Sequence, residues 1–550
     1  MVYGVRGRFA RGCTIATASG VVLLLLVGLD VAAGASTSAS AAPMPPAPRV
    51  STAPTPTVDT LDVPIAPAAA RATGTAAELA PTRVAPFGLT GVTWDAGTAP
   101  EGTRLDVRLH DGTGWGGWEA LHWEPSEGPD AGEDSSVREG TGPLWVGRAD
   151  GLAVRVRTPS GTAPTGLEVV TVDPGAEPAA RGGVAGPRPH SGSPISGPVD
   201  FPNRPRIITR KQWGADPALT ESCSSPRYGL TAKMVFVHHT VNSNDYSPRE
   251  SPGIVRAIYA YHTQGQNWCD IGYNALVDRF GNIYEGRRGG IRLPVRGAHS
   301  GDYNTATVGV SLIGNFENRK PTARMRHALV RFVGWRLGTS YKPVRGKVWV
   351  NGSSFGRISG HRDAMATACP GRFVYALLPK IRKRVAHYLS RYDSPLAARA
   401  DALGNRVTGL VWKGEQVESG GYKTVFGKGR MYGKPGLGAH LLKAKALKRY
   451  LGSGGVRGPL GWPKTDVRSA PIDGVRVMIA QRGRLYVRHK IAKVVHGPIY
   501  QRYQRQSLAS GRLGVPVTNV RGTDRGQRVR FQHGRISWNA KTKTTKVRFE

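Results

Sequence analysis

The sequence predicts a multidomain protein: an N-terminal β-sandwich-like domain, a central α/β domain and a C-terminal β-rich repeat array. Its 550 residues are too many for one compact core. The first part alternates apolar and polar residues, the middle part follows an apolar strand with helical patterns, and the last part repeats a unit of roughly fifty residues. We therefore expect three folded parts with linkers between them.

Residues 1–41 have the pattern of a secretory signal peptide. Three arginines precede an apolar run over residues 21–28, and small residues follow it as far as Ala39-Ser40-Ala41. The run is short for a membrane span, so we expect no permanent membrane anchor, although an uncleaved anchor is the alternative. We expect a secreted protein, either extracellular or associated with a cell wall.

Residues 42–83 are rich in Ala, Pro and Thr and predict a disordered linker. A β domain is predicted over residues 84–174, where Leu105, Val107 and Leu109 alternate with polar residues. Its tryptophans favour core packing, with a sugar-binding face as the alternative. These tryptophans are Trp94, Trp115, Trp118, Trp123 and Trp145. A second linker, rich in Gly, Pro and Ser, is predicted over residues 175–204.

The central domain is predicted over residues 205–392. An apolar strand over residues 234–237 leads into His238-His239-Thr240, and Ser251-Pro252 is typical of a helix start. A second helix carries apolar residues on one face. Its apolar residues are Met325, Leu329, Val333 and Leu337.

Three side chains of this domain suggest a metal site. His238 follows the apolar strand, and His361 and Cys369 stand eight residues apart in a loop-like segment. Two imidazoles and one thiolate suit zinc and leave a fourth tetrahedral position open, as a catalytic site requires. The alternatives are ordinary surface histidines, and a Cys369 that belongs to a disulfide with no metal present.

The cysteine count bears on this choice. Removal of the signal peptide takes Cys13 away and leaves three cysteines in an exported chain, where an odd number needs an explanation. A metal-bound Cys369 thiolate supplies one, and Cys223 and Cys269 can then form a disulfide.

Charge is distributed unevenly along the chain, which carries a formal net charge of +38. Residues 401–550 hold 31 Lys and Arg against 7 Asp and Glu, whereas residues 51–200 hold 10 against 19. Export argues against nucleic acid as the partner, so we expect anionic cell-wall polymers to attract the basic region. A solvated surface that only aids solubility is the alternative.

The basic region, residues 396–550, contains a recurring motif. It reads Leu460-Gly-Trp-Pro-Lys-Thr-Asp466 and again Leu513-Gly-Val-Pro-Val-Thr-Asn519, with a weaker copy that begins at Leu403-Gly404. The units resemble LGFP repeats of exported actinobacterial wall proteins, which implies wall association. The first unit departs from that motif, because Asn405-Arg406 stands where Phe-Pro is usual.

Six ordered motifs in the central domain resemble those of peptidoglycan recognition proteins and the related type 2 N-acetylmuramoyl-L-alanine amidases, including phage amidase lysozymes. The motifs are Val235-Phe-Val-His-His-Thr240, Trp268-Cys-Asp-Ile-Gly-Tyr-Asn274, Gly281-Asn-Ile-Tyr-Glu-Gly-Arg287, Gly297-Ala-His299, Val308-Gly-Val-Ser-Leu-Ile-Gly-Asn-Phe316, and His361-Arg-Asp363 through Cys369-Pro-Gly371. The resemblance implies a mixed sheet with helices on its faces and a secreted Zn²⁺ enzyme that acts on peptidoglycan.

The resemblance also assigns residues. It implies that His238, His361 and Cys369 bind zinc and that Tyr273 is catalytic. Thr367 stands where phage members carry Lys, and we expect it to supply a second hydrogen-bond donor to the developing oxyanion. The residues that border the groove in the family fall on His239, Trp268, His299 and Asn304, which we expect to contact substrate.

Three functions remain open at this point. The first is a zinc amidase that cuts between the muramic acid lactyl group and L-alanine, for wall remodelling or lysis. The second is a non-catalytic peptidoglycan-binding protein of the same fold, and the third is a structural wall protein in which the central domain is incidental. The presence of both Cys369 and Tyr273 favours the enzyme, because binders usually lack the zinc cysteine.

Overall fold

The computed structural model describes residues 55–72, 74–123, 125, 127–130, 136–175, 202–221, 223, 226–392, 394, 396–489 and 491–550. The predicted signal peptide and most of the second predicted linker lie outside these residues. Within them, no helix combines the length and apolar character needed to cross a membrane.

The β domain is one antiparallel sheet of seven strands in the order β1-β7-β2-β6-β3-β4, with β5 beside β2. Strand β2 changes register repeatedly against β6, and such irregularities bend a sheet around its core. The elements are β1 Thr57–Asp62, α1 Ala68–Ala72, β2 Thr75–Asp95, β3 Arg104–His110, β4 Trp115–Leu121, β5 Arg138–Gly140, β6 Leu144–Arg157 and β7 Glu168–Asp173.

The linker predicted over residues 42–83 is wrong from Thr57 onward. Strand β1 lies at the sheet edge and pairs only with β7, so it buries little side-chain surface. The first part of β2 buries the small residues Ala76 and Ala77 completely. An alanine-rich composition is therefore shared by tightly packed strands and by linkers, and composition alone does not distinguish them. Trp94 and Trp145 are buried in cores, which fits the packing interpretation.

The central domain contains a five-stranded sheet in the order β10-β9-β11-β8-β14. Strands β9, β11, β8 and β14 run parallel and β10 is antiparallel, so the sheet is mixed, as expected. The elements are α2 Arg210–Trp213, β8 Met234–His239, α3 Ser251–Ala260, β9 Ala275–Val277, β10 Ile283–Glu285, β11 Thr307–Leu312, α4 Ala323–Thr339, β12 Lys347–Val350, β13 Ser353–Gly356, β14 Ile358–Gly360 and α5 Arg372–Leu389.

Helices cover both faces of this sheet. On one face α4 and α5 bury the predicted stripe of Met325, Leu329 and Val333 against the strands. On the other face lies α3, which continues into a π-helical turn, Tyr261–Gly265. A disulfide joins Cys223 to Cys269 with a Cα–Cα distance of 5.4 Å, so the predicted pairing is confirmed.

The β domain and the central domain share a hydrophobic core. Ile254, Ile258 and Tyr261 of the central domain pack with Leu89 and Trp145 of the β domain. The Tyr261 ring fits because Gly91 has no side chain: a Cβ there would lie 2.5 Å from the tyrosine oxygen. Its hydroxyl donates to the carbonyl of Thr141 at 2.8 Å. The two domains that the sequence separates by a linker are therefore packed as one body.

The C-terminal region forms three four-stranded antiparallel sheets, one for each predicted repeat. Tyr341 of the central domain packs on the first unit, where its hydroxyl donates to Glu415 at 2.8 Å. The elements are α6 Ala397–Leu403, α7 Asn405–Thr408, β15 Val411–Glu418, β16 Gly421–Phe426, β17 Gly429–Lys434, β18 Gly438–Leu442, α8 Ala444–Leu451, β19 Arg468–Ser469, β20 Val475–Ala480, β21 Gly483–Arg488, β22 Ile491–His496, α9 Gly497–Gln504, β23 Arg521–Thr523, β24 Gly526–Phe531, β25 Gly534–Asn539 and β26 Thr545–Phe549.

The last residue of each clear repeat motif connects neighbouring units. The Asp466 carboxylate accepts a hydrogen bond from the backbone N–H of Leu441, at 2.7 Å, in the last strand of the first unit. The Asn519 side-chain oxygen accepts from Val494 at 3.1 Å in the last strand of the second unit. Successive repeats are thus joined by the same contact.

Candidate metal centre

Parallel strands bring the two predicted histidine ligands together. Strands β8 and β14 are neighbours, with Val237 opposite Gly360, so His238 and His361 follow at the same edge of the sheet. Both rings are fully buried and their centroids are 4.6 Å apart. A separation of more than one hundred residues in sequence therefore becomes direct contact, because the carboxyl ends of parallel strands coincide.

Cys369 reaches the same point from the loop that follows β14. Its Sγ lies 3.6 Å from His238 Nδ1 and receives the backbone N–H of His239 at 3.4 Å. The Thr367 hydroxyl oxygen accepts the backbone N–H of Cys369 at 2.9 Å. Thr367 thus shapes the turn that presents the thiol, a contact that the sequence did not predict for it.

His299 lies directly behind His238. The two rings are linked by a hydrogen bond of 3.2 Å between His238 Nε2 and His299 Nδ1. A His238 that gives its Nδ1 lone pair to a metal carries its proton on Nε2 and donates it to His299. Burial lowers the pKa of His299 well below its usual value, which keeps that ring neutral and able to accept.

The position of His299 corrects its expected role as a substrate contact. The ring is completely buried, and Cβ atoms on Gly297 and Gly309 would overlap it. These two glycines belong to the Gly297-Ala-His299 motif and to the motif that begins Val308-Gly. The glycine of each motif leaves the space that the His299 ring occupies. The buried ring of His299 contacts the candidate metal ligand His238.

The donor atoms have the spacing that zinc requires. Ligand atoms at ordinary zinc bond lengths in a tetrahedron lie about 3.3 to 3.6 Å apart. Here the thiol sulfur and His238 Nδ1 are 3.6 Å apart, and the donor atoms of the whole cluster lie within 4.8 Å of one another. Buried imidazole and thiolate are also the donor types that zinc prefers, so the residues fit this ion.

The cluster has a fourth member, Glu127, which the sequence interpretation missed. This residue belongs to the β domain and follows β4, yet its Oε1 lies 3.3 Å from His238 Nδ1 and 3.8 Å from His361 Nδ1. The sequence around it is an acidic loop with Pro and Gly, which is common on surfaces. Only the packing of the two domains places it at the metal centre.

Tyr273 stands at the edge of the cluster. Its ring is buried, and its hydroxyl donates to the two carboxylate oxygens of Glu127 at 3.1 and 3.3 Å. Burial, and then the negative charge of Glu127, raise the pKa of Tyr273 well above its usual value. The phenol is therefore protonated at neutral pH and acts as a hydrogen-bond donor toward whatever occupies this position.

The remaining predicted contacts divide into two groups. Trp268 and Asn304 are buried beside the cluster: Trp268 stacks on His262 with ring centroids 4.4 Å apart, and the Asn304 side-chain oxygen accepts the backbone N–H of His299 at 2.7 Å. His239 follows His238 in the strand and so points to the opposite face, where its Nδ1 accepts the N–H of Phe316 at 3.2 Å. Burial lowers the pKa of His239 to about 3. His239 therefore packs behind the site.

Comparison with known proteins finds a matching family in each of the three parts of the chain. Residues 228–372 match a family described as N-acetylmuramoyl-L-alanine amidase, and residues 513–549 match the LGFP repeat. Residues 42–180 match a family described as Rv3811 N-terminal galactose-binding domain-like. That match includes much of the segment that the sequence interpretation took for a linker.

Individual relatives resemble the central third of the chain. Peptidoglycan recognition protein 1 of Mus musculus is 31% identical over 173 residues, which are 31% of this chain and 85% of the mouse protein. A peptidoglycan-recognition protein of Drosophila simulans is 33% identical over 32% of this chain and 86% of its own. A solved human structure, PGRP-Iβ C in complex with glycosamyl muramyl pentapeptide, is 28% identical, with a TM-score of 0.27, and is matched over 94% of its length and 32% of this chain.

Proposed function

The chain belongs to the family of peptidoglycan recognition proteins and type 2 amidases, and on this premise we propose that it is a zinc-dependent N-acetylmuramoyl-L-alanine amidase. Its substrate is peptidoglycan, and the bond it hydrolyses joins the lactyl group of muramic acid to the first L-alanine. Members of the family act on peptidoglycan either as amidases or as binding proteins, so the choice between these two depends on the site.

One observation favours an amidase over a protein that only binds peptidoglycan. His238, His361 and Cys369 place two imidazoles and a thiol at zinc-binding distances, next to a buried and protonated Tyr273. A protein that only holds a muropeptide has no need for a buried thiol among histidines. Three protein ligands from one domain are also the number found in catalytic zinc sites, where the fourth position receives water or substrate.

The proposed mechanism assigns a task to each of these residues. His238, His361 and Cys369 would hold a zinc ion, which would act as a Lewis acid and lower the pKa of a bound water molecule to near 7. His299 fixes the ring of His238 through the 3.2 Å hydrogen bond. Tyr273 donates a hydrogen bond to the developing oxyanion of the lactyl carbonyl, as its raised pKa permits. Trp268 and Asn304 orient the muropeptide beside the metal.

Thr367 has a smaller part in this proposal. Its hydroxyl oxygen is engaged with the N–H of Cys369, and its proton remains available for donation toward the substrate. We therefore assign Thr367 two tasks, which are to position the thiolate and to provide a secondary hydrogen-bond donor.

The flanking regions support action at a cell wall. The LGFP repeats carry most of the net positive charge of the chain, and the polymers of bacterial walls include polyanions that this charge attracts. Together with the export signal in the sequence, this leads us to propose a secreted enzyme held at the wall by its repeats.

The test uses the full-length chain, loaded with zinc and incubated with purified peptidoglycan. We expect new L-alanine amino ends to accumulate, slowly with the wild type and faster with a Glu127→Ala chain, and we expect Cys369→Ala to abolish their release and to lower the zinc content. The binding alternative is favoured if muropeptide binds but is cleaved neither by the wild type nor by a Glu127→Ala chain.

A further inference from the structure

A short piece of the β domain lies beside the candidate metal centre, in contact with residues that the sequence predicts to bind substrate. This piece, residues 127–130, is named here the inserted segment. It reads Glu-Gly-Pro-Asp and lies between strands β4 and β5. Its contacts are with residues that the central domain needs for the proposed function.

Glu127 takes the place of a fourth metal ligand. Its Oε1 is 3.3 Å from His238 Nδ1, close to the spacing of adjacent ligands in a tetrahedral zinc site, which is about 3.3 Å for nitrogen and oxygen. With two histidines, one thiol and one carboxylate, the cluster provides four protein donors. A zinc site with four protein donors is closed, whereas catalysis requires an open position.

The rest of the inserted segment occupies polar groups of the groove. The Asn304 side-chain amide donates to the carbonyl of Gly128 at 2.9 Å and to Asp130 at 2.7 Å. Asp130 also forms an ion pair with Arg296. A Cβ on Gly128 would lie 3.7 Å from the ring of Trp268, so the backbone passes over that ring. Tyr273, Asn304 and Trp268 were all assigned to substrate or transition state from the family motifs.

The segment is held there by fixed structure on both sides. Before it, Trp123 packs edge-on against Trp94 at 5.2 Å in the core of the β domain. After it, the backbone N–H of Arg138 donates to the carbonyl of Gln266 in the central domain at 3.0 Å. Because the two domains also share a core, the insertion is a consequence of how they pack and not of a single side-chain rotamer.

We propose that the protein is a latent amidase, in which Glu127 closes the metal centre and the inserted segment fills the substrate groove. This inference rests on the proposed function. Opening requires the inserted segment to leave the groove while the shared core stays intact. A Glu127 that served as a catalytic base would need only its carboxylate at the site. The backbone and Asp130 would then have no reason to occupy Asn304 and Arg296.

The test compares full-length wild type with Glu127→Ala, and uses Glu119→Gln as the matched control because Glu119 is an exposed carboxylate on β4 of the same domain. The first readout is the visible spectrum of the cobalt-substituted chain with added azide, an anion that binds open metal positions. We expect azide to change the spectrum of Glu127→Ala and to leave wild type and Glu119→Gln unchanged.

The second readout is the affinity for a soluble muropeptide. If the open form is a minor population, apparent affinity is reduced by that fraction, so removal of the Glu127 carboxylate should raise it by about tenfold or more. A second variant, Asp130→Asn, keeps all four donors and weakens the ion pair to Arg296. It should raise muropeptide affinity by a smaller factor while the azide response stays like that of wild type.

The outcomes separate the two proposals. Higher muropeptide affinity and an azide response in Glu127→Ala support latency even if no chain cleaves peptidoglycan, in which case only the amidase proposal fails. An equal azide response in wild type, or unchanged muropeptide affinity in both variants, overturns latency. Loss of cleavage in Glu127→Ala with unchanged affinity also overturns it, and would make Glu127 a catalytic residue.

Discussion

The central domain has two neighbours, and they are attached to it in different ways. The β domain shares a core with α3 and the following π-helical turn, and it sends a carboxylate into the metal centre. The repeat array contacts the central domain through Tyr341, whose ring packs on the first unit and whose hydroxyl donates to Glu415, and through polar contacts of Lys342 with Asp401 and of Arg292 with the carbonyl of Trp412. Among the described residues, the metal cluster includes no member from the array.

This difference separates two tasks. A neighbour that controls a metal site must hold its ligand to within fractions of an ångström, and a shared apolar core provides that precision. The proposed wall-binding role of the array needs positive charge and does not require a ligand to be held at the metal cluster. The acidic β domain is therefore suited to act on the central domain by packing, and the basic array is suited to attract a polyanion by electrostatics.

The largest effect is expected from a substitution in the core that the β domain and the central domain share, named here the N-terminal junction. Trp145→Ala removes a buried ring from the shared core, and such truncations cost about 3 to 5 kcal/mol of unfolding free energy. Denaturant titration of the full-length chain checks this value. Trp118→Ala is the control because that ring is 38% exposed, and it should change the free energy by about 1 kcal/mol or less. Equal losses in both variants would contradict a shared core.

The next effect is the acid sensitivity of the same junction. His262 lies in the π-helical turn beneath the β domain, and burial lowers its pKa to about 3, compared with about 6.5 when unfolded. Between pH 6.5 and pH 3 the imidazole is protonated in the unfolded chain but neutral in the folded chain. The unfolding free energy is therefore highest above pH 6.5 and falls as the pH is lowered toward 3. The loss approaches about 1.4 kcal/mol per pH unit, or about 2 kcal/mol at pH 5.

His262→Gln tests this sign directly. Glutamine can still accept the N–H of Gly272 that His262 Nδ1 accepts at 3.2 Å, but it does not titrate. We expect its unfolding free energy to fall less than that of wild type between pH 7 and pH 5. The exposed His387→Gln serves as the control. Parallel pH profiles for wild type and His262→Gln would refute the assignment.

A third effect concerns the array. Deletion of residues 396–550 should weaken sedimentation with purified walls by about tenfold at low ionic strength, because electrostatic attraction is lost. The difference between full-length and truncated chains should shrink at high salt, where screening is strong. Sedimentation that is independent of the array at every salt concentration would remove it as the wall-binding region.

The smallest effect is expected at the contact between the central domain and the first repeat unit, named here the C-terminal junction. Tyr341→Phe deletes the hydroxyl that donates to Glu415 at 2.8 Å and lies 2.6 Å from the Thr424 hydroxyl, a loss of about 1 kcal/mol. Hydrogen exchange should speed up in strands β15 and β16, while zinc affinity and the azide response stay unchanged. A change at the metal centre would show that the two junctions are coupled.

Three members of the candidate metal cluster could be predicted from the sequence because they lie in local motifs at strand ends. His238 follows an apolar run, and Cys369 follows His361 at a short spacing. The helix stripe of Met325, Leu329 and Val333 was predictable for a similar reason, since helical periodicity is a local property. Local patterns thus identified the central fold and three donors of the site.

The contacts between domains could not be predicted in this way. Glu127 is separated from His238 by more than one hundred residues, and an acidic loop has the same appearance on any surface. The position of His299 behind His238 requires glycine at 297 and 309, because a Cβ at either residue would overlap the ring. This requirement is visible only in the folded structure. The prediction that the β domain begins at residue 84 was wrong because an alanine-rich strand in a tightly packed sheet has a composition similar to that of a linker.

The contact between successive repeats has an evolutionary consequence. Asp466 and Asn519 end equivalent motifs, and each accepts a backbone N–H from the last strand of the unit before it. A duplicated unit would bring its own acceptor and offer its own strand, so it could be inserted without altering any existing junction. Gene duplication could therefore lengthen or shorten the array in whole steps without any change to the central domain.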